Sequence, residues 1–131
     1  VNVLRLSLHP DGLAGQIVNL AEWRLHLLAR LRRQIEASAD PVLVNLLREL
    51  KEYPLARTDK YNTTATEHDY AGIAVPFRLK TEAGVLAFLS TTTVFGTPID
   101  ITLAELAIES FFPANAATKA ALSRPAPQAT R

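Results

Sequence analysis

Apolar residues recur at every second position in Ile73, Val75, Phe77 and Leu79, with Ala74, Pro76, Arg78 and Lys80 between them. That period buries one face of an extended strand and leaves the other to solvent. Thr81-Glu82-Ala83-Gly84 follows as a short polar loop ending in glycine, and Val85 to Phe95 resumes with β-branched and aromatic residues, so the two segments predict a hairpin. Leu86, Phe88 and Val94 share one face of the second segment and Val85, Ala87, Leu89 and Phe95 the other, the pattern of a strand buried on both sides. Gly96-Thr97-Pro98 breaks it. From Leu103 to Phe112, Glu105 and Glu109 share one alternating face and Ala104, Leu106, Ile108 and Phe112 the opposite one. Leu103, Leu106, Ala107 and Phe111 also fall at helical spacing, but the short preceding turn favours the third strand of an antiparallel meander.

Upstream, Val1 to Leu8 alternates, with Leu4, Leu6 and Leu8 opposite Val3, Arg5 and Ser7, before the turn residues Pro10-Asp11-Gly12; a strand joining the later sheet is expected. Asn19 then opens a helix. Its side chain is placed to cap the amide of the third helical residue while Glu22 reaches back and Val18 staples onto Trp23. Trp23, Leu27, Leu31 and Ile35, widened by Leu28, form the stripe that faces a core, with Arg24, Arg30, Arg32 and Arg33 largely off it. Asp40-Pro41 starts a second helix with a cap and a proline whose missing amide costs nothing there. Leu43, Leu46, Leu47 and Leu50 supply its apolar side, and Tyr53-Pro54 closes it. Leu55 to Tyr70 is polar and aperiodic, suited to a lid, a partner-contacting loop or a mobile connection. Asn115 is placed to cap a short helix from Ala116 to Leu122, and the segment from 125 to 131 reads as a disordered tail. The elements add up to an α+β domain over residues 1–124.

At 131 residues, one core is expected. No apolar run approaches the roughly 20 residues that span a bilayer, and the expected setting is cytoplasmic. With no cysteine, disulfides, thiol catalysis and thiolate metal sites are excluded. The formal net charge of +1, from 14 basic and 13 acidic residues, is too small a field to argue nucleic-acid binding by this segment. Position 1 is Val and the chain has no Met, so a longer polypeptide with an upstream domain is expected.

The residues that carry chemistry are sparse. His9, His26 and His68 fall on different elements, and only His68-Asp69 has an adjacent carboxylate; without an H-E-x-x-H pattern no metal site is expected. No serine sits in a glycine-flanked elbow, and no glycine-rich loop is present to cradle a phosphate. Glu105 and Glu109 read as solvent-facing carboxylates rather than an acid/base pair. The basic helix face is interrupted by Glu22 and Glu36 and lacks interleaved aromatics. Neither an enzyme nor a cofactor protein is indicated. The hydroxyl run Ser90-Thr91-Thr92-Thr93, in a strand expected to be buried, needs partners that backbone, neighbours or a ligand head group would supply. A sheet rich in Phe and Leu under two Leu-rich helices is a layered fold that can leave an apolar cavity.

In LRLSLHPDGLAGQIVNLAEWRLHLLARLRRQ near the start and VPFRLKTEAGVLAFLSTTTVFGTPIDITLAELAIESFFPA near the end, the chain resembles the MmyB-like transcription-regulator ligand-binding domain. The order and spacing of the Asn19-led helix ending in Leu31-Arg32-Arg33, the Asp40-Pro41 helix start and the Phe95-Gly96-Thr97-Pro98 turn carry the resemblance. It implies a PAS-like antiparallel sheet with helices packed on one face, placed C-terminal to a helix-turn-helix domain through which alone DNA is bound. It also implies a fatty-acid-like ligand in an apolar pocket, and a homodimer. On that expectation Ile73, Val75, Phe77 and Leu79, with Phe88 and Ile108, form the sheet side of the pocket. Trp23, Leu27, Leu31, Leu46 and Leu50 cover it, Ser90 or Thr92 holds the head group, and Arg78 stands at the rim. The alternative is a purely structural dimerisation module whose interior is filled by its own side chains.

Overall fold

The computed structural model describes residues 2–55, 74–94 and 107–125. They form an α+β arrangement of four α-helices, α1 (Val3–Leu8), α2 (Leu20–Ser38), α3 (Pro41–Glu52) and α4 (Ala116–Leu122), with strands β1 (Phe77–Thr81), β2 (Gly84–Val94) and β3 (Ala107–Pro113). The strands make one antiparallel sheet in the order β1-β2-β3, the expected meander; the link from β2 to β3, with the Gly96-Thr97-Pro98 turn, lies outside the described residues. No helix among the described residues is long and apolar enough to cross a membrane.

The first segment is a helix, not the expected strand. Asn2 accepts a hydrogen bond from the Arg5 amide at 3.1 Å, and Ser7 and Leu8 turn inward while Leu6 stays exposed. The alternation of leucines at 4, 6 and 8 therefore has no buried face behind it; the spacing that matters is Leu4 to Leu8, one helical turn. Gly12 closes the turn after α1, where an added Cβ would collide with the Leu6 carbonyl oxygen. The segment that reaches the sheet is instead Ile17-Val18. Ile17 bridges to Leu79, and the Val18 amide donates to the Arg78 carbonyl at 2.9 Å.

Helix α2 ends at Ala39, which takes the left-handed conformation with φ 51°. Asp40 then caps α3 by accepting from the Val42 amide at 2.8 Å, with Pro41 in the first turn. Leu8, Ala14, Ile17, Leu20, Trp23, Leu27, Leu28, Leu31, Leu46 and Leu50 make one continuous buried cluster, against which Val75, Phe77 and Leu79 pack. Helix α3 closes on α2 through Arg24, whose guanidinium donates to the carbonyls of Tyr53, Leu50 and Lys51 at 2.7, 3.1 and 2.6 Å. These are the C-terminal carbonyls of α3, where a cation is favoured, so Arg24 is not the solvated residue the pattern suggests.

The hairpin turns through Glu82-Ala83, with Gly84 at φ 104°. Strand β2 is not buried on both sides along its length as expected: Ala87 is buried, but Val85 and Thr91 to Thr93 are exposed. The apolar run records propensity for a strand, while cover depends on which helices arrive. After β3, the Ala114 amide donates to the Ala87 carbonyl at 2.8 Å and the Ala87 amide donates to Thr118 Oγ1 at 2.9 Å. Helix α4 thereby takes over the pairing of β2 where β3 stops. Asn115 caps it at the Thr118 amide, 2.8 Å away.

Candidate ligand-binding site

The register decides which side chains meet. Phe77 pairs with Phe88 and Leu79 with Leu86; Phe88 pairs with Pro113, Ser90 with Phe111 and Thr92 with Glu109. Because side chains alternate across a strand, Phe77, Leu79, Phe88, Ser90, Thr92, Glu109 and Phe111 share one face, and Arg78, Ala87, Ile108 and Phe112 lie on the other. Three phenylalanines on the first face form a triangle with centroid separations of 6.3, 6.0 and 6.4 Å, within the range of favourable aromatic pairs. Trp23 of α2 extends the cluster, its ring 5.0 Å from that of Phe77.

Asn19 sets this contact. In place of the expected cap on α2, for which it makes no side-chain hydrogen bond, its amide donates to the Pro76 carbonyl at 2.8 Å and accepts from the Arg78 amide at 3.2 Å. It also donates to Glu22 at 3.0 Å. The side chain thus pairs with β1 on both sides of Phe77, as a neighbouring strand's peptide would. Strand pairing satisfies both halves of the amide, whereas a cap uses only its oxygen.

Trp23, His26 and Arg30 follow along one side of α2, at intervals of three and four residues. His26 stacks on Trp23 at 5.4 Å. Its pKa is lowered, first by burial and then by the nearby Arg30 and Arg33. Arg30 donates to Glu109 Oε1 at 2.9 Å and to Thr92 Oγ1 at 2.7 Å. These partners face each other across β2 and β3, so one guanidinium ties α2 to two strands. From Trp23 to Arg30 the helix advances about 10 Å, and from Phe88 to Thr92 the strand advances about 13 Å. The two elements run side by side, aromatic at one end and ionic at the other.

The expected site residues fall in three places among the described residues, with Trp23, itself part of the helical core, joining the first two. Trp23, Phe77 and Phe88 come together, with Ser90 and Thr92 on the same sheet face and Val75 and Leu79 packed against the core. Leu27, Leu31, Leu46 and Leu50 belong to the buried cluster of the helices, Leu31 at 1% and Leu50 at 0% exposure, where their own packing fills the space. Ile108 and Arg78 are on the opposite sheet face, so neither reaches Phe77 or Phe88 across the sheet. Ile73 lies outside the described residues, as do His68-Asp69 and the 56–73 segment. Sequence reasoning passes over Phe111, His26, Arg30 and Glu109. The alternation of β3 does put Glu109 opposite Ile108; the missing information is which face α2 covers.

Two further features bear on ligand binding. Trp23 Nε1 is buried without a hydrogen-bond partner among the described residues, a donor whose burial is costly unless an acceptor meets it. A separate open depression is lined by Gly15, Gln16, Lys80, Thr81 and Glu82. It sits at the hairpin turn and lacks the aromatic wall.

Between α2 and the sheet, the described residues thus present a mixed aromatic and cationic surface. The family comparison identifies the domain that carries it. The chain belongs to the MmyB-like transcription regulator ligand-binding domain family, whose model matches residues 1–124. Curated proteins and solved structures gave no match. For an MmyB-like domain, the aromatic cluster is the natural place to look for a small-molecule site.

Proposed function

We propose that this MmyB-like domain is the sensing half of a helix-turn-helix regulator and takes a fatty-acid-like molecule against the face formed by Phe77, Phe88, Phe111 and Trp23. The observation that supports this is the aromatic cluster itself, in which Phe111 keeps 47% of its surface exposed although its neighbours pack together. Exposed aromatic surface beside a covering helix is stabilised by an apolar guest. About a dozen methylenes at ~0.8 kcal/mol each leave several kcal/mol after ordering costs. In this reading the sheet and its helices are a PAS-like layer, two copies pair, and the domain carries out no reaction. The ligand changes DNA binding by the attached domain only to the extent that it binds one arrangement better than another.

Native mass spectrometry of the purified chain, followed by denaturation and organic extraction, tests the reading. Recovery of a bound lipid, or a rise in Tm on adding C12 to C18 fatty acids, is expected. No lipid and no thermal shift across that series would leave the structural module as the surviving description.

A further inference from the structure

We infer that the sheet face turned away from Trp23 and Arg30 is a docking surface for an anionic lipid bilayer, on which the domain rests peripherally. This surface is separate from the aromatic face of the acyl-ligand reading.

The register places Arg78 and Lys80 of β1, Val85 and Leu89 of β2, and Ile108 and Phe112 of β3 on this face. Lys80 pairs directly with Val85, and Leu89 with Phe112. Val85, Ile108 and Phe112 keep 51%, 46% and 54% of their surface exposed. A single exposed apolar residue is ordinary, but three on one sheet face with two cations form a patch with a chemistry of its own. Its charges are of one sign. No carboxylate of β1, β2 or β3 lies on this face, Glu109 being on the other and Glu82 in the hairpin turn. Among the described residues Arg78 and Lys80 enter none of the ion pairs, which are Arg5 with Glu49, His9 with Asp11 and Arg30 with Glu109. Helix α4 meets β2 at Ala87 through Thr118, and the exposed Lys119 and Leu122 repeat the two chemistries on the same short helix.

Cations attract anionic lipid head groups, while apolar side chains enter the boundary beneath them. Thr91, Thr93 and Ser110, on the same face, carry hydroxyls that hydrogen-bond those head groups. A second copy is a poorer fit, because an isologous contact lays the patch on itself, where Arg78 and Lys80 meet no carboxylate. No helix among the described residues is long and apolar enough to cross a membrane, so the contact is one made at its surface.

Vesicle co-sedimentation tests this, using vesicles of phosphatidylcholine with phosphatidylglycerol against phosphatidylcholine alone, at low and at high salt. Wild type is expected to pellet with the anionic vesicles at low salt, to be released at high salt, and to stay in the supernatant with phosphatidylcholine alone. The double variant Arg78→Gln/Lys80→Gln should lower partitioning by at least about tenfold, and Phe112→Ser should lower it too. Arg48→Gln/Lys51→Gln, which removes the same charge from α3, should leave it unchanged. Thermal unfolding at the wild-type Tm shows that each variant is folded, and the comparison of lipids needs no variant. Wild type that ignores the anionic vesicles, or equal losses in the two double variants, would overturn the inference. So would a wild-type dimer that Phe112→Ser turns into a monomer in sedimentation velocity with vesicle partitioning unchanged, since the face would then be an interface between copies.

Discussion

Glu49 accepts from Arg5 Nε at 2.9 Å and from Arg5 Nη2 at 2.8 Å, and the Tyr53 hydroxyl also donates to it. These bonds, Arg5's first and Tyr53's second, hold its carboxyl at about 2 against a usual value of 4.5. The folded carboxyl is the stronger acid, so its contribution to stability is complete above about pH 4.5 and is lost as the pH falls towards 2. The cluster is solvent-exposed, so the effect is modest. Glu49→Gln should lower Tm at neutral pH and converge with wild type near pH 2; a Tm difference that stays constant across that range would exclude the linkage. Ala39 offers the opposite change. Its left-handed conformation costs an alanine about 1–2 kcal/mol and a glycine little. After the extra chain entropy of glycine, Ala39→Gly should gain up to about 1 kcal/mol, read as a higher urea midpoint at unchanged slope.

At the scale of elements, α2, α3 and α4 were legible because their ends are written in local chemistry: Asp40-Pro41, Tyr53-Pro54 and Asn115 act within one turn of where they stand. Helix α1 was not, because three alternating leucines mimic a strand and only Leu8's burial among the helices reveals the true period. Asn19 shows the same limit from the other side. Its position marks the start of α2, but its side chain bonds residues almost 60 positions away, which no local pattern discloses. Thr118 is another such residue. At 0% exposure, its hydroxyl is the acceptor for an Ala87 amide that β3 no longer reaches. Thr118→Val keeps the shape and removes the acceptor, leaving a buried amide unpaired at a cost of about 1–3 kcal/mol, whereas Thr118→Ser keeps the oxygen. Faster hydrogen exchange at Ala87 in the valine variant but not the serine variant is the expected result; equal protection in both would show that the hydroxyl does not hold α4 to β2.

For the molecule as a whole, the division between a filled helical core and a partly open aromatic face separates the residues that stabilise the fold from those proposed to bind ligand. Residue types and strand alternation nominated members of both, but the grouping of Ile108 and Arg78 with Phe77 and Phe88 depends on which sheet face each shares. Which of those faces meets α2 is set by Asn19, Ile17 and Val18 gripping β1, long-range contacts with no trace in periodicity. The division makes a prediction that neither layer makes alone. Leu50→Ala removes a fully buried side chain and should cost about 2–5 kcal/mol, lowering Tm with and without ligand by similar amounts. Phe88→Ala should act chiefly on the ligand-dependent increment. For a ligand at a hundred times its Kd that increment is about 2.7 kcal/mol, which in a domain of this size is a rise of about 10 °C. Thermal unfolding with and without tetradecanoate therefore yields two numbers per variant, and the expected pattern is a crossed one: Leu50→Ala loses baseline and keeps the increment, while Phe88→Ala loses most of the increment. If both variants lose baseline and keep the increment, the ligand does not rest on the aromatic face, and binding must be sought elsewhere on the molecule.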